Sequence, residues 1–443
     1  MIRSAGGFVV AATLIYFLYS NAKGSHSVVR SVSPLVHNER SQARRSGDPA
    51  SVDLVRGSKK LLSYKRSLLS ALDKDASLIV FGPTRSGKTR NIAAPIVKSA
   101  AGSVVVTSVK KDIVNLTHDS RASDSRVYLL GDSCGLEGTS CFWDPVDEVR
   151  DFQSAKVVAE NLVSHAPGNF HGASDTKFWY QLSSRLLAPI LLAAKYRGLG
   201  TGGVISWLDS ASFQEPYEIL LGHCEDQGAQ TIDSVRYWDD KQISSVLITI
   251  LSVVQSVELA LSSVPTGSKR LVVADLFARG AGVFTLYMTT DFSHQRRLAP
   301  YFGALNSTLA SSALARRDDN ARLTIVLDEA ANTAPMVELA ELASLGQGLG
   351  VRLVTILQDV SQLKSAYSLA ANTVVNNHRS KLFLAGISDP ETMNLAASLI
   401  SASPAYPLDF AVRTLSNRTA LLIQANAKAE LVRFNARRRY FFR

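Results

Sequence analysis

The chain is poor in cysteine, poor in charge for its length, and short of acidic side chains, and each shortage excludes a class of protein. Its three cysteines in 443 residues are Cys134, Cys141 and Cys224. They form no close pair and no metal-type spacing, which argues against a disulfide framework or a zinc cluster and for a reducing compartment. Charged residues make up 19% and hydrophobic residues 46%, the balance of a packed chain with a large core and not of a disordered one. The 38 Asp and Glu are outnumbered by 48 Lys and Arg, leaving a net charge of +10 and a pI near 9.5. Such an excess suits a nucleic acid or an anionic membrane surface; a merely basic soluble surface is the plain alternative. A long bilayer-spanning run is also missing. The apolar stretch from Gly6 to Tyr19 is shorter than the ~20 residues a span needs.

The most informative stretch is Ile79 to Thr89, IVFGPTRSGKT. An apolar strand flows into a loop with the spacing G-x-x-x-x-G-K-[ST], and a helical pattern follows. Gly82, Pro83, Thr84, Arg85, Ser86, Gly87, Lys88 and Thr89 form the expected phosphate cradle. Its glycines let backbone N–H groups approach phosphate oxygens, and a helix starting near Gly87 turns its positive end to the same anion. Lys88 is placed to reach the β- and γ-phosphates of ATP, and the Thr89 hydroxyl to ligate Mg²⁺.

In chain order, an N-terminal membrane anchor is expected over 1–23, if Ile2 to Ala22 all count and Arg3 snorkels to the interface. A signal peptide with a small-residue site at Ser20-Asn21-Ala22 and a non-spanning helix are the competing expectations. Export would strand a nucleotide site where there is no ATP. Lys23, Arg30, Arg40, Arg44, Arg45 and Arg56 follow the stretch and only Arg3 precedes it, which places the bulk of the chain on the cytoplasmic side. Residues 24–60, rich in Ser, Arg and Lys, read as a solvated basic linker.

An α/β domain is expected over 61–146 and 266–443, with parallel strands at 77–81, 103–109, 126–130, 282–289, 322–329, 351–358, 381–385 and 420–425, about seven or eight in all. Between them, 147–265 has helical periodicity with hardly any strand signal, which predicts an inserted all-helical domain. Phe178, Trp179, Tyr180, Trp207 and Trp238 in it suit core packing better than DNA stacking.

A second half of the nucleotide site is written in RLTIVLDE, a buried strand ending in two carboxylates. Asp328 is expected to hold Mg²⁺, and Glu329 to activate the attacking water as general base. Gln358 ends the apolar run VRLVTIL one strand later, where it is placed to sense the γ-phosphate or, alternatively, to cap the next helix.

These blocks together resemble the TraG/TraD-type coupling-protein ATPases of type IV secretion and bacterial conjugation. The matching stretches are FGPTRSGKT, SVKKDIVNLTH, DPVDEV behind Phe142-Trp143, IVLDEAANTAPMVELAELASLGQGLGVRLVTILQDVSQLKSAY and NNHRSKLFLAGISDPET, over about 75–150 and 320–400. The resemblance implies a RecA-like P-loop NTPase sheet bearing an all-helical domain. It further implies a membrane-anchored homo-hexamer that engages a relaxase–DNA complex and feeds non-sequence-specific DNA to a secretion channel. An arginine from a neighbouring subunit would then complete each site, with Arg379 the first candidate and Arg352 the second. The chain departs from the family in having at most one membrane helix, Ser108 in place of an Asp, Asp112 in place of a Glu, and Asp144 in place of an Asn. A chromosome translocase or packaging ATPase, and a receptor for protein effectors, are the rival functions.

Overall fold

The computed structural model describes residues 64–166, 174–316, 322–400, 415–416, 418–425 and 429–434; the expected anchor and basic linker lie outside them. Strands β1 (Tyr64–Ser67), β2 (Leu78–Phe81), β3 (Ser103–Ser108), β4 (Arg126–Gly131), β5 (Thr139–Phe142), β6 (Lys269–Arg270), β7 (Phe284–Thr289), β8 (Leu323–Asp328), β9 (Val351–Leu357), β10 (Ser380–Leu384), β11 (Thr419–Gln424) and β12 (Glu430–Arg433) form one sheet. Its order is β1-β12-β11-β10-β2-β9-β8-β3-β7-β4-β5-β6. From β10 to β6 every neighbour is parallel, and β11 and β12 add antiparallel pairings at one side.

Among the described residues, twelve strands exceed the seven or eight expected. The four additions, β1 (YKRS), β5 (TSCF), β6 (KR) and β12 (ELVR), lack the apolar run by which the inner strands announce themselves. They lie toward the two ends of the sheet, where burial on both faces is not required. The inner strands, by contrast, are buried throughout: β2, β7, β8 and β10 have no exposed position, as a parallel sheet covered on both sides demands.

Alternation along the strands sorts the core into two layers. Leu78, Val80, Val104, Val106, Val326, Val354 and Ile356 pack with Ile92, Ile96 and Val97, which flank the phosphate loop, and with Ile113 and Val114. The latter two belong to α2 (Asp112–Ala122), and Ile96 and Val97 to α1 (Ala94–Ser99). The intervening Ile79, Phe81, Val105, Ile325 and Leu327 are equally buried and face the opposite layer, where α9 (Gln295–Leu314) touches β8 and β9.

Between β5 and β6 the described residues form only helices: α3 (Phe152–Ser164), α4 (Ser174–Arg197), α5 (Gly200–Asp209), α6 (Gln214–Gly222), α7 (Asp226–Asp233) and α8 (Asp240–Ser262), with short 3-10 turns at Pro145–Glu148 before α3 and at Ser234–Tyr237 between α7 and α8. Two of them start at capping boxes, Asp151 with Ser154 and Asp239 with Gln242, which satisfy the orphan N–H groups of a helix end. α8 is long and apolar enough to cross a membrane by length and composition. It packs against α4 and α9 and buries Val246, Ile250, Val253, Val254 and Val257 along one face.

The segment is fastened at Asp144. This carboxylate accepts hydrogen bonds from the Val146 and Thr201 N–H groups at 3.0 Å each and from the Thr201 hydroxyl at 2.6 Å. All three partners are donors, so an aspartate suffices where the family has Asn. Trp207, 5% exposed with its Nε1 donating to Glu215 at 2.8 Å, is core as expected, whereas Phe178 is half exposed.

Candidate nucleotide site

The phosphate loop leaves the carboxyl end of β2, which lies between β10 and β9. The Gly82 N–H donates to the carbonyls of Leu357 and Gln358 at 3.2 and 3.1 Å, tying the loop to the end of β9. A Cβ on Gly82 would lie 2.7 Å from Leu384 and 2.9 Å from Ser86 Oγ, so only glycine fits. Gly87 has φ +86°, a conformation that glycine adopts without penalty. Past it the chain makes one wide i→i+5 helical turn, Lys88–Ala93, before α1 begins. Wider turns of this kind are frequent at functional sites.

Lys88 is buried, and its ammonium donates to the Gly82 and Pro83 carbonyls at 2.6 and 2.9 Å. Burial lowers its pKa, against the pull of Asp328 and Glu329. Thr84 and Arg85 are exposed on the crest of the loop. Ser86 Oγ is buried with no hydrogen-bond partner in the structure. An orphaned hydroxyl inside a glycine-shaped cradle beside a lysine fits an anion such as a phosphate.

The acidic strand arrives alongside. Thr89 Oγ1 donates to Asp328 Oδ2 at 2.9 Å, and Ser108 Oγ donates to the same oxygen at 3.2 Å. Asp328 is only 4% exposed. Burial raises its pKa while the Thr89 and Ser108 hydrogen bonds and Lys88 oppose the rise. Two hydroxyls and a carboxylate form a hard oxygen set of the kind Mg²⁺ takes. Glu329 follows at φ 60° and ψ 47°, a left-handed conformation rare for a residue with its side chain. Burial and the neighbouring Asp328 raise its pKa. The short helix α10 (Ala330–Thr333) holds this turn, with the Asn332 and Thr333 N–H groups donating to the Glu329 carbonyl at 2.9 and 3.2 Å.

Gln358 closes β9 beside Gly82, half-buried. The capping alternative falls to its neighbour: Asp359 accepts from the Gln362 N–H at 2.7 Å and caps α11 (Val360–Tyr367).

The two candidate arginines are not brought to this site. Arg379 precedes β10, whose first residue pairs with Leu78 at the start of β2, so it occupies the amino edge of the sheet, opposite the loop. It is exposed there. Arg352 shares that edge, half-buried, with its Nε donating to the Ala76 carbonyl at 3.4 Å. Conversely, Ser108 joins the site although nothing singled it out as a ligand in the sequence. Its position at the end of an apolar strand was the available signal.

A family described as the type IV secretory system conjugative DNA transfer family matches residues 42–401. The chain belongs to that family. Two Escherichia coli conjugal transfer proteins TraG are similar to this family member, one 23% identical over 316 residues and the other 22% identical over 324. Each alignment covers 65% of this chain and 49% of TraG, so the chain spans about half the length of the curated relatives it matches. Among solved structures, the bacterial conjugative coupling protein TrwBdeltaN70 in complex with sulphate has a TM-score of 0.66 at 18% identity, covering 86% of this chain and 92% of that chain. TrwB with ADP and Mg²⁺ and TrwB with a non-hydrolysable ATP analogue give the same TM-score. The fold is therefore the RecA-like P-loop NTPase fold of a conjugative coupling protein.

Proposed function

We propose that this coupling-family protein hydrolyses ATP to move conjugative DNA, and that Asp328 and Thr89, meeting at 2.9 Å with Glu329 strained beside them, carry the chemistry. TrwB, which shares the fold, binds ADP with Mg²⁺ and a non-hydrolysable ATP analogue, and this supports the same ligands here. Lys88 neutralises the β- and γ-phosphates as a compact charge, while the loop N–H groups and Ser86 hold their oxygens. Thr89 and Asp328 hold Mg²⁺, which when bound draws charge from the phosphate oxygens. Glu329 accepts the proton of the water that attacks the γ-phosphorus as the bond to ADP breaks. Its raised pKa suits a base that must take up a proton. Gln358 orients that water or senses the γ-phosphate. Arg379 acts on a neighbour's nucleotide, which requires a ring of subunits, taken as a hexamer.

The partners follow from the family and the charge: a relaxase–DNA complex as cargo, a type IV secretion channel as receiver, and the inner membrane as the anchoring surface. The domain division at 61–146 with 266–443, and 147–265, is part of this proposal. A motor that must move any sequence grips what all sequences share, the phosphate backbone. The test is ATP turnover by the purified chain with and without single- and double-stranded DNA, across a salt series. Turnover should rise with DNA at low salt. If about five phosphates are neutralised, affinity should fall a few hundredfold to a thousandfold between about 50 and 200 mM salt. A flat salt response, or tight binding to one sequence alone, would favour a receptor for protein cargo.

A further inference from the structure

The turn between β7 and α9 leaves the carboxyl edge of the sheet next to the nucleotide site and carries an aromatic ring with nothing to pack on. Phe292 is 82% exposed. The turn itself is fixed: the Asp291 carboxylate accepts from Ser293 Oγ at 2.7 Å and from the His294 N–H at 2.8 Å. Arg296 and Arg297 follow one helical turn after Phe292, both exposed. Neither has an ion-pair partner among the described residues. Lys110 and Lys111 are exposed at the carboxyl end of the adjacent strand β3. Of the acidic groups nearest this turn, Asp132 and Asp291 are faced by Lys111 and His294. A rigid turn that presents a bare ring beside free guanidinium groups has the chemistry of single-stranded nucleic acid, in which bases stack and phosphates pair.

We propose that residues 290–297 grip single-stranded DNA, with Phe292 as the platform on which bases stack and Arg296 and Arg297 as the contacts to the backbone. The proposal rests on the DNA-motor function above. Two routes join this grip to the chemistry. The Thr290 N–H donates to the Ser108 carbonyl at 3.2 Å, and Ser108 Oγ donates to Asp328. In addition, α9 packs on α10, the helix that fixes Glu329, and Arg296 lines a cleft of about 400 Å³ together with Ala331 and Asn332.

The experiment measures binding of a fluorescent oligothymidylate to the full chain by anisotropy, with ATP turnover recorded with and without it. Phe292→Ala should weaken binding roughly 5- to 150-fold, the value of one aromatic–base stack, with an unchanged log–log salt slope. Phe292→Trp should restore it. The double variant R296A/R297A should make the slope shallower by about 1.4, at ~0.7 per phosphate of a single strand. In both loss variants the ratio of stimulated to unstimulated turnover should fall. Because the ring buries so little, an unchanged melting temperature for Phe292→Ala separates a lost contact from misfolding. Parent-like binding and stimulation in these variants, when the parent itself responds, overturns the grip and leaves the DNA motor standing. A parent that neither binds nor responds at ~50 mM salt overturns both.

Discussion

Glu329 holds a backbone conformation in which its Cβ crowds the following carbonyl, at a cost of roughly 1–2 kcal/mol. The turn bonds from Asn332 and Thr333 enforce it, and the reward is a carboxyl group aimed beside Asp328. Two substitutions separate the conformation from the carboxyl. Glu329→Gln keeps the strain and the shape but cannot take a proton, so turnover should drop about 10²- to 10⁴-fold while nucleotide remains bound. Parent-like turnover would move the base elsewhere. Glu329→Gly should lose turnover equally, yet resist urea better than the Gln variant by about 1 kcal/mol, because glycine adopts the left-handed region freely. Equal midpoints for the two variants would mean that no strain is stored there. Lys88→Ala removes both the charge offered to the phosphates and the two bonds to Gly82 and Pro83. Binding of a fluorescent ATP analogue should weaken roughly 10- to 150-fold, as expected for a charged hydrogen-bonding group. Most of this site was legible because its parts are local: eight consecutive residues, and two carboxylates at a strand end. Ser108 was not, since its role exists only because β3 lies beside β8, 220 positions away in the chain.

Among the elements, β9 and α12 (Ala371–Asn377) are latched by the residue that ends the helix. His378 is fully buried, with Nδ1 2.6 Å from the Val374 carbonyl and Nε2 3.0 Å from Thr355 Oγ1. A neutral ring satisfies both, donating from Nδ1 and accepting at Nε2. Burial, opposed by the Val374 bond, pulls its pKa down to about 4 from 6.5. The unfolded chain takes up the proton near 6.5 and the folded chain only near 4. The stability this histidine contributes above pH 6.5 is therefore lost as pH falls through that window, by roughly 3 kcal/mol in total. Denaturation midpoints of the parent should fall more steeply between these pH values than those of His378→Gln, whose amide does not titrate. Parallel curves for the two would rule out the latch as the cause. The inner strands were readable at this scale from unbroken apolar runs, and the helical stretch from its periodicity. β1, β5, β6 and β12 were not, because short polar strands acquire their identity from a neighbour that the sequence does not name.

At the scale of the whole molecule, Arg379 and the phosphate loop occupy opposite edges of the same sheet, so the role proposed for this arginine is on the nucleotide of another copy of the chain. Mixing Arg379→Ala with Glu329→Gln subunits, each inactive alone, should restore some turnover, because certain interfaces then combine an intact glutamate with an intact arginine. No rescue at any mixing ratio would count against Arg379. The sheet order has a further consequence for how the molecule comes into being. β2 carries the phosphate loop and is made early, yet the strands that flank it, β9 and β10, begin at Val351 and Ser380. At roughly 5–20 residues per second of synthesis, the apolar segment LIVF waits roughly 15 to 55 seconds on the ribosome before either partner emerges. A nascent chain cannot bind nucleotide in that interval, and a polypeptide released early presents two bare strand edges to chaperones and proteases.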